Sequence, residues 1–324
     1  MSKIHYAMDN PEAREIMEQF TLEDHRQRLA DQERSRLRPI SDFTGEVIEL
    51  HNKTKEDRGL ALPWMHCRDI ILEPNRISIV GGANGHMKST ITTQLALQIA
   101  RQTPVAIMSL EIDMVTQAEI LCQQIHAESK LSDGQINSAA QWAEGKVWLY
   151  SWMQRIKIQQ ALGFLWAASD LGCGLAIIDN LQKLGIGHND NDAQNEAFEQ
   201  IMEVANNNPA GMHVVLVHHV AKPPGNDPNW RPSRYSLRGS SGLSDKTDNI
   251  FMAFHNKKRV AASFKPIDER DEEDRRLISE EFDFELIIEK LRNQPGERTE
   301  GLYHGLGRTL QCRAGTQDVR CIFD

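Results

Sequence analysis

One stretch, RISIVGGANGHMKSTITTQLALQIA at residues 76–100, constrains the fold of this chain more than any other part of its sequence. An apolar run suited to a buried strand is followed by a glycine-rich turn and then by a helix-forming run. Glycines let backbone N–H groups curl around a phosphate chain, and the helix that follows points the positive end of its dipole at the same charge. The stretch therefore predicts a phosphate-binding loop between a strand and a helix.

The predicted loop departs at one position from the usual G-x-x-x-x-G-K-[S/T] pattern, since Met87 stands where the second glycine belongs. We expect the side chain of Met87 to crowd the β-phosphate or to strain the turn. The Lys88 ammonium would reach the β- and γ-phosphates of ATP or another NTP, and the Ser89 hydroxyl would bind Mg²⁺. The alternative is a glycine-rich turn with a surface lysine. The residues assigned to the nucleotide are Gly82, Ala83, Asn84, Gly85, His86, Met87, Lys88, Ser89 and Thr90.

From residue 60 onward, apolar runs alternate with helical patterns, which predicts an α/β fold with a mainly parallel sheet. Strands are predicted at 76–82, 104–110, 174–179, 212–219, 249–254 and 284–290. Helices are predicted at 89–102 and 193–207, and a solvated loop at the acidic run 267–276.

The first 45 residues are charged and helix-prone, with too few apolar residues to bury a core of their own. We expect one or two helices that need another surface, followed by a polar linker at 51–59. The predicted organisation is therefore an N-terminal helical segment and linker over 1–59 and an α/β domain over 60–324.

Composition limits the class of protein. A net charge of -9 does not suit a protein that simply coats nucleic acid, so any such contact would need a local basic patch. The five cysteines are odd in number and form no C-x-x-C pair, which indicates neither a zinc site nor a disulfide framework. No apolar run could span a membrane and no signal peptide stands at the start, so we expect a cytoplasmic protein without membrane contact.

Two of the predicted strands lead into acidic residues. Asp179 ends the run GLAIID, at the edge where ligands bind in open α/β sheets, and would hold Mg²⁺ directly or through water. Glu111 follows the run VAIMSL, which we expect to lie next to the phosphate-loop strand. Its carboxylate would orient and deprotonate a water in line with the γ-phosphate. The alternatives are an ordinary strand end for Asp179 and the opening acid of a helix for Glu111.

Four segments, in order, resemble the RecA-like motor core of the DnaB helicase family and the helicase half of Twinkle-type phage primase–helicases. They are GGANGHMKST at 81–90, SLEIDM at 109–114, LAIIDNLQ at 175–182, and a tail group formed by SLRGSSGLSDKTDNIFMAF at 236–254 with IIEKLRNQPGERT at 287–299. The resemblance extends over about 60–312. It implies a RecA-like P-loop NTPase whose twisted, mainly parallel central sheet is flanked by helices. It also implies NTP hydrolysis with Mg²⁺ at the subunit interfaces of a ring that unwinds DNA during replication.

The resemblance also implies catalytic roles. Lys290 and Arg292 are spaced to point to the same side of a strand. They would reach the neighbouring subunit's ATP as an arginine finger, the alternative being a solvated basic strand end. His219 occupies the family's polar sensor position between γ-phosphate and DNA, with His218 the less favoured candidate. The catalytic residues are thus Glu111, Lys88, Arg292, Lys290 and His219.

Two stretches rich in Gly, Pro, Asn and Ser, at 185–192 and 221–242, predict long loops of the kind that line the channel of such rings. The second carries a local basic patch that includes Arg231. Binding through phosphates would be sequence-independent and salt-sensitive. Trp230 and Tyr235 are expected to pack the loop rather than to stack on bases. The implied DNA-binding residues are Lys222, Arg234, Arg238, Gly239 and Ser240.

The partners that the resemblance implies are single-stranded DNA and further copies of the chain in a ring, expected to be a hexamer. Primase, polymerase or a loader would be additional partners, and the N-terminal helical segment would pack on the adjacent subunit. Compared with such relatives, the chain shows neither a primase region nor the large N-terminal domain usual in DnaB, and from its small size and the lack of a primase region we expect a phage or plasmid replication protein. Two alternatives stay open: a strand-remodelling RecA-like ATPase, and a nucleotide-dependent assembly module in which Met87 has abolished turnover.

Overall fold

The computed structural model describes residues 23–31, 33–34, 37–54, 56–150, 152, 156–184, 191–221, 225, 227, 230–237, 241–294 and 296–312. The chain divides into two compact units, Met1–Thr54 and Lys55–Asp324.

In the described part of the first unit, a 3₁₀ turn at Ile40–Phe43 leads into helix α1, Thr44–Asn52. None of the α1 side chains is buried, and Val47, Ile48 and Leu50 are each more than half exposed. A nine-residue helix is marginal in water by itself, so this segment needs a further surface. The linker predicted from residue 51 was wrong at its start, because α1 continues through Asn52.

The second unit is built on a large sheet and a small one. The strands are β1 (Leu60–Ala61), β2 (Ile71–Leu72), β3 (Ile77–Gly82), β4 (Val105–Ser109), β5 (Val147–Leu149), β6 (Leu175–Asp179), β7 (His213–His219), β8 (Asn249–His255), β9 (Phe284–Leu291), β10 (Arg298–His304) and β11 (Leu310–Gln311). Nine of them form one sheet in the order β11-β10-β9-β8-β3-β7-β6-β4-β5, and β1 and β2 form a separate two-stranded sheet. Strands β3 to β8 run parallel, and β9, β10 and β11 extend one side in antiparallel pairs.

Helices cover both faces of the large sheet. The helices of the unit are α2 (Lys88–Ile99), α3 (Met114–His126), α4 (Asp133–Ala143), α5 (Ile158–Asp170), α6 (Asn191–Asn206), α7 (Ser241–Lys246), α8 (Lys257–Phe264) and α9 (Glu272–Glu280). Alternate strand residues, such as Val80 and Ile79 of β3, point into two separate apolar cores. The first core packs α2 and α3 against one face, and the second packs α5 and α6 against the other.

The predicted mainly parallel α/β fold is confirmed, and each of the six predicted strands matches an observed strand to within one residue at either end. The solvated loop predicted at 267–276 was wrong, since α9 begins at Glu272. The side chain of Asp271 accepts the backbone N–H of Asp274, and Asp274 accepts that of Asp271 in return. Carboxylates at a helix N-terminus also favour the helix dipole, so the acidic run starts a helix here.

A buried polar network lies at the amino ends of the central strands. His213 at the start of β7 is fully buried. Its Nδ1–H donates to the backbone oxygen of Glu73 at 2.7 Å, and its Nε2 accepts from the Ser78 hydroxyl at 2.8 Å. Asn249 donates to the same Ser78 oxygen at 3.0 Å. Burial lowers the pKa of His213 to about 4, so this imidazole is neutral in the folded protein.

We predict that acid destabilises the protein through His213. The unfolded chain holds the proton more tightly, with a pKa of 6.5 against about 4 when folded. The stabilisation is therefore complete above pH 6.5 and is lost as the pH falls towards 4. Between pH 7.5 and 5, urea unfolding should show about 2 kcal/mol more loss in wild type than in His213→Asn, which keeps a donor and does not titrate. Parallel pH curves for the two proteins would contradict this role.

Candidate nucleotide-binding and catalytic site

The predicted phosphate loop joins the carboxyl end of β3 to the first residue of α2. A side chain at Gly82 would place its Cβ 2.9 Å from the Ala253 oxygen and 3.4 Å from Cδ of Lys88, so only glycine fits beside β8. Gly85 has φ +75°, in the left-handed region that glycine adopts freely. Both glycines are therefore required by the path of the backbone.

Met87 is the N-cap of α2 and adopts left-handed backbone angles, φ 57° and ψ 26°. For a residue with a β-carbon this conformation costs roughly 1–2 kcal/mol, which is the strain expected where the loop lacks its second glycine. The Met87 side chain is partly buried and packs on the first apolar core. The packing offsets part of the backbone cost, so the loop keeps its turn without glycine at this position.

Lys88 is buried, with 7% of its surface exposed, and its side chain folds back towards the loop. Its Nζ donates to the backbone oxygen of Ala83 at 3.1 Å and to Nδ1 of His219 at 3.3 Å. Burial lowers the pKa of Lys88, whereas the nearby carboxylates of Asp179 and Glu111 raise it. The ammonium thus lies at the mouth of the loop, where a bound triphosphate would replace the Ala83 carbonyl as its partner.

Ser89 and Asp179 lie together, as the sequence predicts for a cation site. The Ser89 hydroxyl donates to Oδ2 of Asp179 at 2.5 Å. Asp179 is 3% exposed, and its Oδ1 has no hydrogen-bond partner among the described residues. Burial raises the pKa of Asp179, and the hydrogen bond from Ser89 opposes that shift.

The hydroxyl oxygen of Ser89 and the carboxylate of Asp179 fit Mg²⁺. The ion prefers oxygen ligands, keeps several waters, and is commonly bound by one or two protein groups together with substrate phosphates. In the described part of the chain, no cluster of three or more His, Cys, Asp or Glu side chains could hold a metal by itself. A cation at Asp179 would therefore need the phosphate oxygens of a nucleotide to complete its coordination.

Glu111 is linked to Lys88 by His219, which lies between them and contacts both. Because an ammonium can only donate, the contact with Lys88 makes Nδ1 of His219 an acceptor and places the proton on Nε2. This Nε2 lies 3.3 Å from Oε1 of Glu111, and the hydrogen bond is the main reason why the pKa of Glu111 is lowered. The amide nitrogen of Asn180 lies 2.6 Å from the same Nε2. The Asn180 amide also hydrogen-bonds to Glu111, which lowers the pKa of Glu111 further.

The expectation that β4, which precedes Glu111, lies next to β3 was wrong. Strands β7 and β6 separate the two, and β4 pairs with β6. Glu111 still approaches Lys88 and Asp179, because all the parallel strands end at the same edge of the sheet. The imidazole of His219, at the end of β7, spans the remaining gap. His218 is buried, and its Nδ1 lies 2.7 Å from a backbone oxygen.

Lys290 and Arg292 lie at the opposite edge of the sheet from the phosphate loop. Strand β9 is antiparallel to β8, so its carboxyl end adjoins the amino ends of β8 and β3. Six residues of β3 separate the two edges, about 20 Å of extended chain. Lys290 donates to the backbone oxygens of Ser244 and Asp245 at 2.8 and 2.9 Å. Neither basic residue can contact a nucleotide on its own chain.

Arg231, one of the basic residues of the predicted patch in the 221–242 loop, is paired with a carboxylate. Its guanidinium donates two hydrogen bonds, at 2.8 and 2.6 Å, to the two oxygens of the Glu285 carboxylate, a bidentate pair. Glu285 is 6% exposed. Arg234 donates to the backbone oxygen of Glu289 at 3.0 Å and to the carboxylate of Glu297 at 3.2 Å. The predicted loop also contains a 3₁₀ turn, and α7 already begins at residue 241.

Four of the predicted DNA-binding residues, Lys222, Arg238, Gly239 and Ser240, lie outside the described residues, as does most of the predicted loop at 185–192. Trp230 packs on the second apolar core, as expected. Tyr235 is 80% exposed, but it contacts its own loop, because the Arg234 guanidinium lies 5.1 Å from its ring centroid and donates to its hydroxyl at 3.0 Å. Sequence reasoning also missed Asn180, whose signal was its position directly after Asp179.

Comparisons with known proteins agree with this geometry. Residues 68–225 match the family model for the AAA domain. No curated protein sequence matches the chain. A DnaB-like replicative helicase, studied with its interactions with primase, superposes with a TM-score of 0.63 at 14% identity, over 92% of this chain and 77% of that one. A second solved structure, which contains an ATPase domain alone, superposes with a TM-score of 0.66 at 14% identity, over 84% of this chain and 98% of that one.

The chain therefore has the RecA-like ATPase fold of DnaB-like replicative helicases, and the fold predicted from the four motif segments is confirmed. Within the described part of the chain, no helix combines the length and the apolar character needed to cross a membrane.

We predict that Lys88→Ala weakens the binding of Mg²⁺–ATP at least about tenfold, because the loop would lose the ammonium expected to contact the β- and γ-phosphates. Titration with a fluorescent ATP analogue would measure the dissociation constant. Lys130→Ala, at an exposed lysine outside the site, is the matched control and should bind as wild type does. If the Lys88 variant and wild type bind with equal affinity, Lys88 does not bind the nucleotide.

Proposed function

We propose that this chain is the ATP-driven motor of a replicative DNA helicase, which assembles into a ring, hydrolyses NTP at subunit interfaces and moves along single-stranded DNA. The fold, the cluster of Lys88, Ser89, Asp179, Glu111 and His219 at one sheet edge, and the two basic residues at the other edge support this proposal. A hexamer is the ring size that the sequence resemblance favours.

Nucleotide binding rests on the phosphate loop. Its backbone, together with the ammonium of Lys88, would hold the triphosphate at the N-terminus of α2. Ser89 and Asp179 would hold Mg²⁺, which neutralises charge on the β- and γ-phosphate oxygens. In this arrangement Lys88 exchanges the Ala83 carbonyl for phosphate oxygens and keeps its contact with His219.

Hydrolysis would be carried by Glu111. Its lowered pKa keeps the carboxylate ionised and able to accept a proton from water. The water oxygen attacks the γ-phosphorus, its proton passes to Glu111, and the bond from that phosphorus to the bridging oxygen breaks to release ADP and phosphate. His219 orients Glu111 through Nε2–H and contacts Lys88 through Nδ1. It would thereby link the state of the γ-phosphate to the strand that enters the 221–242 loop.

The observation that carries the ring proposal is the position of Arg292, at the sheet edge opposite its own phosphate loop. A guanidinium there can stabilise charge on a γ-phosphate only if that nucleotide belongs to another copy of the chain. One surface of each copy would then meet a different surface of the next, and such head-to-tail contacts form a ring when the rotation between copies closes and a filament when it does not. The sequence resemblance favours the ring. The exposed apolar face of α1 would add a further contact with the adjacent subunit.

Single-stranded DNA is the proposed track. The loop residues Lys222, Arg238, Gly239 and Ser240 would grip phosphates without reading the sequence. Arg234 would contribute only after giving up the contacts that hold it to Glu289 and Glu297. Primase, polymerase or a loader would act as partners at the replication fork.

We predict that Arg292→Ala keeps ATP binding but lowers DNA-stimulated ATP turnover about 10³-fold or more, as expected for an arginine finger. Steady-state ATPase assays with and without single-stranded DNA would measure the loss, with the exposed Arg276→Ala as the control. A mixture of Arg292→Ala with Lys88→Ala should regain activity, because some interfaces then pair an intact loop with an intact guanidinium. If the Arg292 variant hydrolyses ATP as wild type does, the shared site is excluded.

The second candidate, a nucleotide-dependent assembly module without turnover, is favoured by one observation, the left-handed backbone at Met87. The retention of Lys88, Ser89, Glu111 and Asp179 in one cluster argues for the enzyme. A dead site would have no physical need for a paired lysine, hydroxyl and two carboxylates.

We predict that wild type turns over ATP and that Met87→Gly changes kcat by less than about tenfold, because Lys88 and Ser89 keep their places at the start of α2. Met87→Ala is the matched variant: it keeps the left-handed cost and removes the bulk near the phosphates. If turnover is found only in Met87→Gly, the natural protein is the assembly module instead.

A further inference from the structure

Asp248 is a buried carboxylate at the sheet edge that carries Arg292. It directly precedes β8, and its side chain is only 5% exposed. Its Oδ2 accepts the backbone N–H of Ile77 at 3.0 Å, and its own N–H donates to the Ile77 oxygen at 3.1 Å. Asp248 is therefore fixed to the first residue of β3, the strand that leads into the phosphate loop.

The other carboxylate oxygen of Asp248 faces two guanidinium groups. Its Oδ1 lies 3.3 Å from Nε of Arg292 and 3.9 Å from Nη1 of Arg76. Both are ion pairs, since Oδ1 accepts no hydrogen bond from the described residues. The backbone N–H of Arg292 donates to the Asp248 oxygen at 2.9 Å, so both the backbone and the side chain of Arg292 are held by one residue. Two cations and a backbone donor compensate the burial of this carboxylate.

Nε is the nitrogen of the Arg292 guanidinium that lies closest to Asp248. The Arg292 side chain is 44% exposed, and among the described residues its terminal nitrogens donate no hydrogen bond. An arginine held through Nε can still offer two parallel N–H donors, the geometry that suits a phosphate. Asp248 thus lies nearest to Nε, and the two terminal nitrogens of a guanidinium suffice to bind a phosphate.

Lys290 is held differently. Both hydrogen bonds of its Nζ go to the last turn of α7, and cations at a helix C-terminus are favoured by the helix dipole. In the protomer, Lys290 therefore ties β9 to the helix that ends just before Asp248, leaving Arg292 as the basic residue presented outward.

We propose that Asp248 is a positioning residue for catalysis in the neighbouring subunit: it holds Arg292 through Nε so that the terminal nitrogens of the guanidinium meet that subunit's γ-phosphate. This inference rests on the proposed function, since it requires a site shared between subunits. Asp248 touches neither substrate nor reacting atoms and acts through Arg292 alone. The reason for the arrangement is rotational freedom, because an unpaired arginine would sample many rotamers and seldom present its planar edge to phosphate.

The variant Asp248→Asn tests this inference. The amide oxygen keeps an acceptor for the Ile77 N–H but lacks the charge that orients Arg292. We expect kcat for ATP to fall about 10- to 100-fold with KM unchanged, since a displacement of about 1 Å is enough for such a loss. The matched control is Asp274→Asn, which removes a carboxylate of similar burial, paired with Lys265, elsewhere in the domain and should keep wild-type kcat.

Mixing subunits separates positioning from a structural defect. The defect of Asp248→Asn lies in the guanidinium that it donates, so its own phosphate loop is intact. Mixed with Lys88→Ala, which supplies an intact Arg292, up to about a quarter of the interfaces in a randomly assembled ring are complete, and turnover should return to that level. A merely structural defect at the base of β3 would damage the loop of the same subunit and would not be rescued.

Each outcome decides the question. Wild-type kcat in Asp248→Asn, or a loss that the mixture does not rescue while Arg292→Ala is rescued, overturns the inference. If neither variant is rescued, the shared site itself fails, and the proposed function fails with it. If Asp248→Asn does not melt cooperatively, the test uses Asp248→Glu, which keeps the charge but moves the carboxylate by one methylene. We expect this variant also to lose kcat and to regain turnover when mixed with Lys88→Ala.

Discussion

A buried ammonium beside two carboxylates, Lys88 with Asp179 and Glu111, is the constraint on which the functional edge of this protein depends. Burial alone would drive Lys88 towards its neutral form and Asp179 towards its protonated form. Neighbouring groups oppose these shifts: the two carboxylates raise the pKa of Lys88, and the Ser89 hydrogen bond and Lys88 lower the pKa of Asp179. The parallel sheet makes this possible, since its strands carry apolar side chains along their length and release polar ones at a common edge. A bound triphosphate would place negative charge beside Lys88, and its cation would place positive charge beside the carboxylate of Asp179.

The antiparallel strand β9 gives the molecule a second functional edge. If the chain continued in parallel fashion, its basic end would lie beside the phosphate loop and could serve the chain's own nucleotide. The reversal places Arg292 at the far edge, against Asp248 and the start of β3. The P-loop strand is thus held at one end by the residue that orients Arg292 and carries the phosphate loop at the other. In the proposed assembly, a single strand would connect the nucleotide site of one copy with the guanidinium that it presents to the next.

Much of the fold could be predicted from sequence because buried parallel strands are read as continuous apolar runs, and all six predicted strands were found. Strand order could not be predicted, since β4 and β6 have similar apolar composition and only packing decides that β7 lies between β6 and β3. Short or polar strands such as β5 and β10 carry no such signal. In the site, Lys88, Ser89 and Asp179 followed from motif spacing. The pairing of Arg231 with Glu285 did not, because partners 54 residues apart leave no local pattern.

The separation of the two edges has a consequence for how activity would depend on assembly. In an open chain of subunits, the last phosphate loop has no guanidinium to meet, and the first guanidinium has no nucleotide. An open row of n copies then holds n − 1 complete sites, whereas a closed one holds n. If the site is shared as proposed, closure would add an active site without adding a subunit, and an isolated protomer would hold none. Turnover per molecule would rise steeply with protein concentration, so dilution itself would act as an off-switch that needs no inhibitor.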